Sequence, residues 1–232
     1  MCIRDRYTVV GAIYNNEYTI LGRKITEDGE IELLNTSTKE GMRTYRRTLV
    51  YIFAMALKKI VPNCMATLNY QMANAIYCDL GETEVTDEII KKLNEQMEDI
   101  VKRDLPITEK VMNREEAEEF FEKNNTKRGY LQFELKSNKK IYMYFCEDYF
   151  NYCYGIIANR TGAIKAFKVI KYDKGLLIRY PSVENPNQVP ILMQNKKLKW
   201  AFDEYNEIHK ILGMNACLLY TSPSPRDPKT SR

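Results

Sequence analysis

Apolar and polar positions alternate from the start of the chain. YTVVGAIYNNEYTIL, beginning at Tyr7, breaks at Asn15-Asn16, a pair that tolerates left-handed backbone, and so predicts two short strands around a tight turn. GEIELLN, after Asp28, predicts a third strand. The period then changes. In STKEGMRTYRRTLVYIFAMALKKIVP the apolar residues Tyr45, Leu49, Ile52, Phe53, Ala56 and Ile60 recur at helical spacing, and Pro62 ends the run. This is the strongest helix signal in the chain, and it predicts one fully buried face.

CMATLNYQ and NAIYCDL predict two more strands. TDEIIKKLNEQMEDIVKRDLP predicts a helix capped by Thr86, with Ile89, Ile90, Leu93, Met97, Ile100 and Val101 on one side and a charged face turned to water. Asn113 and Glu116 have capping-box spacing before a short helix, REEAEEFFEKN. From Tyr130 the chain turns to Tyr, Phe and β-branched residues, broken at Gly155, Gly162 and Gly175, which predicts an antiparallel sheet. PSVENPNQVP reads as a loop, and NKKLKWAFDEYNEIHKIL as a closing helix carrying Trp200 and the sole histidine, His209. The expected class is α+β, with no internal repeat.

The two ends change the composition. MCIRDR opens the chain and CLLYTSPSPRD begins its last stretch at Cys217. One DNA string, ATGTGTATAAGAGACA, encodes Met-Cys-Ile-Arg-Asp, and its reverse complement encodes Cys-Leu-Leu-Tyr-Thr. The shared string looks like the inverted end of a transposase-type sequencing adapter, so residues 1–6 and 217–232 are expected to be translated library DNA, with 7–216 an open-ended fragment. Without the five basic and two acidic residues in those ends, 35 basic and 31 acidic residues become 30 and 29, and the net charge falls from +4 to +1. Bulk charge then offers no phosphate-neutralising excess, and nucleic acid is an unexpected partner on this ground. At 44% hydrophobic and 28% charged, with no apolar run long enough to span a bilayer, a globular cytoplasmic protein is expected, with no membrane partner. Cys64, Cys78, Cys146 and Cys153 remain, and reduced thiols are expected of them.

Motifs that carry chemistry are scarce. No G-x-x-x-x-G-K-[ST] loop and no G-x-G-x-x-G occurs. His209, alone on an amphipathic helix, has no neighbouring nucleophile signal and is read as a packing or surface residue. The four thiols lack the close ligand pairs of structural zinc sites, so no metal is expected. CEDYFNYCYG crowds aromatic residues, acids and cysteines beside a glycine, and reads as a strand of core aromatics or as the wall of a ligand pocket.

The order of EGMRTYRRTLVYIFAMALKKIVPNC, NYQMANAIYCDL and CEDYFNYCYGIIANRTGAIKAFKV resembles the N-terminal half of threonyl-tRNA synthetases. That half consists of a small TGS domain and a second additional domain that edits mischarged tRNA. The resemblance implies a partial, β-rich TGS-like domain over 7–36 and an editing-like domain over 37–216, with helices packed on antiparallel sheet. The family's editing pocket carries an H-x-x-x-H pair and a cysteine followed four residues later by histidine. By register these fall on Tyr70, Asn74, Cys153 and Ile157, so only the cysteine is kept. Without imidazoles little remains to orient water or hold zinc, and no catalytic residue is expected.

The same two-domain front also occurs in bacterial nucleoside kinases named uridine kinases, which DYFNYCYG and GLLIRYPSVENPNQVP resemble. This resemblance implies a noncatalytic accessory module of an ATP-dependent nucleoside kinase. Its P-loop domain would lie beyond Ala216 as the partner in cis, and ATP and Mg would be cofactors of that domain alone. The remnant pocket would be formed by Tyr70, Asn74, Asp148, Cys153, Tyr154 and Ile157, with a small molecule as its ligand. The alternatives are a threonyl-tRNA synthetase fragment with a degenerate editing domain and a free-standing tRNA-binding module.

Overall fold

The computed structural model describes residues 7–62, 64, 66–124, 141–191, 200, 204, 207 and 208. Among the described residues, three antiparallel sheets and three α-helices of defined range follow the α+β pattern. β1 (Val9–Tyr14), β2 (Glu17–Thr19) and β3 (Ile31–Asn35) form the first sheet, in the order β2-β1-β3. Asn15 and Asn16 both take positive φ, 47° and 64°, giving the tight turn expected of that pair.

α1 (Lys39–Ile60) starts at Thr38, whose hydroxyl accepts from the Gly41 amide at 3.0 Å, and stops ahead of Pro62. Its buried face holds Tyr45, Leu49, Ile52, Phe53 and Ala56, as the periodicity predicts, and also Thr48, Tyr51 and Met55, while Ile60 is only partly buried. The helix is therefore enclosed on more than one stripe. A second sheet, β4 (Thr67–Met72), β5 (Ala75–Asp79), β9 (Lys168–Tyr172) and β10 (Gly175–Arg179), runs in the order β4-β5-β10-β9. β5 and β10 are its central strands, and their residues are buried almost throughout, so their apolar runs do not alternate.

α2 (Asp87–Lys102) is capped by Thr86 and buries Leu93, Met97 and Ile100 against the shared core. β6 (Thr108–Met112), β7 (Ile141–Cys146) and β8 (Tyr149–Tyr152) form the third sheet. α3 (Arg114–Lys123) begins with the expected capping box of Asn113 and Glu116.

One expectation needs correction, and the structure adds one strand. CEDYFNYCYG is a hairpin and not one strand: β7 and β8 pair Cys146 with Tyr149 across Glu147 and Asp148, and Glu147 takes a φ of 52°. TEKVM, which carries no strong strand pattern, is the strand β6, held by its register with β7. The expected closing helix, with His209, falls largely outside the described residues, as do 1–6 and 217–232. Among the described residues, no helix is long and apolar enough to cross a membrane.

Candidate functional site

α1 carries most of the geometry. The segment after β8, from Cys153 to Phe167, is stitched to it at several points. Tyr45 donates its hydroxyl to the Ala166 carbonyl at 2.8 Å and accepts from the Lys165 and Ala166 amides. Thr48 accepts from the Ala158 amide at 2.8 Å and donates to the Thr44 carbonyl. Further on, Thr161 accepts from the Leu105 amide and donates to the Ile100 carbonyl, both at 2.8 Å, which ties the segment to the end of α2. Buried hydroxyls with both roles filled help keep this largely irregular segment, which holds one 3-10 turn at Thr161–Ala163, in place.

The six positions of the expected pocket fall in different places. Tyr70 on β4 stacks on Tyr77 at 4.8 Å, in a small cluster with Met72, Ala75, Leu177 and Tyr172. Asn74 stands in the β4–β5 turn and donates to the Pro181 carbonyl at 3.0 Å. Asp148 is exposed in the β7–β8 turn, and Tyr154 is 66% exposed. Cys153 and Ile157 belong instead to the main core. Tyr70 lies in β4 while Asn74 stands in the turn beyond its end, so no single helix or strand carries the pair on one face.

The helix next to Cys153 is α1, through Arg47 and Tyr51, themselves four residues apart. Tyr51 places its hydroxyl 3.1 Å from the Tyr144 carbonyl and 3.3 Å from that of Tyr149, and its ring meets the Tyr149 ring edge-on at 5.1 Å. Burial, and after it the neighbouring Tyr149, Cys146 and Cys153, pushes the Tyr51 phenol upward. The Tyr144 phenol is raised by burial and next by Glu109. Cys153 is half-buried as a residue while its thiol is enclosed, and burial pushes that thiol up to about 12 against the opposing pull of Arg47. These groups stay protonated at neutral pH, so none supplies a base or a thiolate.

Sequence reading passed over Arg47, Tyr51 and Tyr144. The usable signal was the helical spacing of Arg47 and Tyr51 on the same long helix that carries the resemblance. Among the described residues, no three His, Cys, Asp or Glu side chains stand together as metal donors. At the N-terminal end of α1, an open cleft of about 560 Å³ is lined by Lys39, Arg43, Arg46, Gln71, Asn74 and Tyr180, among others. Asn74 is thus part of a cleft, but of a basic one apart from Cys153.

No family model matches this chain. It is 30% identical to the threonine–tRNA ligase of Carboxydothermus hydrogenoformans over 161 residues, which is 68% of this chain and 25% of that protein. It is 28% identical over 149 residues to the ligase of Methylobacillus flagellatus, covering 63% of this chain and 24% of the other. Threonine–tRNA ligase 1 of Bacillus subtilis is 28% identical over 158 residues, 67% of this chain and 25% of the ligase. The chain spans about a quarter of the length of the curated relatives it matches, and over that span it is a threonyl-tRNA-synthetase-like region.

Proposed function

We infer that this chain is the editing-type portion of a threonyl-tRNA-ligase-like protein in which hydrolysis has been lost. The relatives support this reading over an accessory module of a nucleoside kinase, since those reported above are ligases joining threonine to tRNA. The observation that carries the loss of hydrolysis is the surroundings of Cys153. The thiol is enclosed and held neutral, Ile157 four residues on is fully buried and apolar, and the facing helix offers a phenol and a guanidinium. A buried neutral thiol neither attacks an ester nor binds a metal readily.

What the arrangement does well is hold a shape. Tyr144 and Tyr149 of the β7–β8 hairpin pack with Tyr51 of α1, the Tyr51 and Tyr144 hydroxyls donating to carbonyl and carboxylate oxygens and the Tyr149 hydroxyl accepting from the Asn151 side-chain amide. The module then acts by binding, not turnover. Zinc analysis of protein purified with supplemented metal tests this directly. Sub-stoichiometric zinc, unaffected by Cys153→Ala, is expected, and one zinc per chain that disappears in Cys153→Ala would overturn the reading.

A further inference from the structure

Among the described residues, Arg47 is a cation with no ion-pair partner of its own. On the same helix, Arg43 binds Glu40 at 2.6 Å and Arg46 reaches the amide oxygen of Gln71. Arg47 is half-buried, yet among the described residues it makes no hydrogen bond and no ion pair. Burial, and after it the neighbouring charge of Arg46, lowers its pKa, while the acid that acts on it, Glu40, is already held by Arg43. A guanidinium carries five donors in a planar fork, and partly withdrawing it from water without a partner is unfavourable.

The guanidinium lies against Gly155, where a Cβ would stand 2.9 Å from Arg47 Cζ and 3.0 Å from Nη1. Gly155 also takes a φ of +90°, so the close approach and the backbone both call for glycine. Gly155 and the adjacent Tyr154 are exposed, which opens this edge of the fold to solvent. Cys153 beside it carries no charge to neutralise the arginine.

We propose that Arg47, in the field of Arg43 and Arg46, is the bidentate donor of a binding site for a small oxyanion of the phosphate class at the Gly155 turn. A phosphate fits the fork with two parallel hydrogen bonds, and the neighbouring arginines add attraction without further contact. The site stands on the free guanidinium and the glycine against it, independently of whether the chain descends from an editing domain.

Inorganic phosphate is titrated into the whole chain by calorimetry, with chloride adjusted to constant ionic strength. Saturable one-to-one binding is expected, weakened at least tenfold in Arg47→Gln and in Arg47→Lys, which keeps the charge but not the fork. Lys91→Gln, on the solvent face of α2, leaves it unchanged. Glycerol phosphate is titrated in parallel. Tighter binding than phosphate assigns the group as part of a larger phosphomonoester, and weaker binding assigns a free oxyanion. Absence of saturable binding to the unaltered chain would overturn the proposal, and so would equal affinity in a folded Arg47 variant. Arg47→Lys, checked by circular dichroism, serves as that folded variant should Arg47→Gln not fold.

Discussion

The Tyr144 hydroxyl lies 3.0 Å from Glu109 Oε2 and 3.3 Å from the Gly155 carbonyl, so its one proton serves two acceptors. Glu109 in turn pairs with Arg23, which follows β2 of the first sheet. Gly11 of β1 packs closely on Ile156 nearby, where an added Cβ would stand 2.7 Å from Ile156 Cδ1. The first sheet, the third sheet and the segment after Cys153 therefore meet at one polar junction. The Glu109 side chain is 7% exposed and that of Arg23 is 37% exposed. Glu109→Ala strands a partly buried guanidinium and leaves the Tyr144 phenol only its longer bond to the Gly155 carbonyl, and should lower unfolding free energy by about 2–3 kcal/mol. Urea denaturation measures this, and an unchanged midpoint would contradict the junction.

Tyr51→Phe removes the hydroxyl that reaches the Tyr144 and Tyr149 carbonyls while leaving the edge-on ring contact with Tyr149 intact. The loss should be about 1–2 kcal/mol, read as a fall in melting temperature. A fall comparable to removal of a whole aromatic ring would show that packing, and not the hydrogen bonds, had been disturbed.

Gly155→Ala forces a side chain into left-handed backbone and against the Arg47 guanidinium. A cost of about 1–2 kcal/mol is expected. Gly22 has nothing within 4 Å of a built Cβ and no positive φ, so Gly22→Ala should be neutral or slightly stabilising. Equal effects at the two positions, compared by chemical denaturation, would contradict the close approach of Arg47.

Alkaline pH should destabilise the fold. Burial raises the Cys153 thiol from 9.0 to about 12, the Cys146 thiol from 9.0 to about 11 and the Tyr45 phenol from 10.0 to about 12. Above pH 9 the unfolded chain gives up these protons first, so the native state binds more protons and stability falls as pH rises. The contribution is complete below pH 9 and lost on approaching pH 12. Urea midpoints under reducing conditions should therefore drop steadily between about pH 9 and pH 11, and a flat profile would show that these groups are solvated.

The helices were legible because their signals are local: Thr38, Thr86 and the Asn113–Glu116 box cap them where side-chain chemistry requires. The Asn15-Asn16 turn was legible for the same reason. β6 was not, since its residues become a strand only through pairing with β7, more than thirty positions away at Thr108 and Phe145. Of the six candidate site residues, Tyr70, Asn74, Asp148 and Tyr154 stand outside the main core, while Cys153 and Ile157 fall in it. The element packed beside them could not be read from register alone, because contact between α1 and the Cys153 segment is set by tertiary hydroxyl bonds at Tyr45 and Thr48 that leave no periodic trace.

The central claim is that the Cys153 site binds without hydrolysing. The decisive measurement is the release of amino acid from mischarged threonine-accepting tRNA, incubated with the whole chain and added zinc beside a threonyl-tRNA synthetase that edits. The account predicts release at the buffer rate, the same for the unaltered chain and Cys153→Ala. Faster release that is abolished by Cys153→Ala would contradict it.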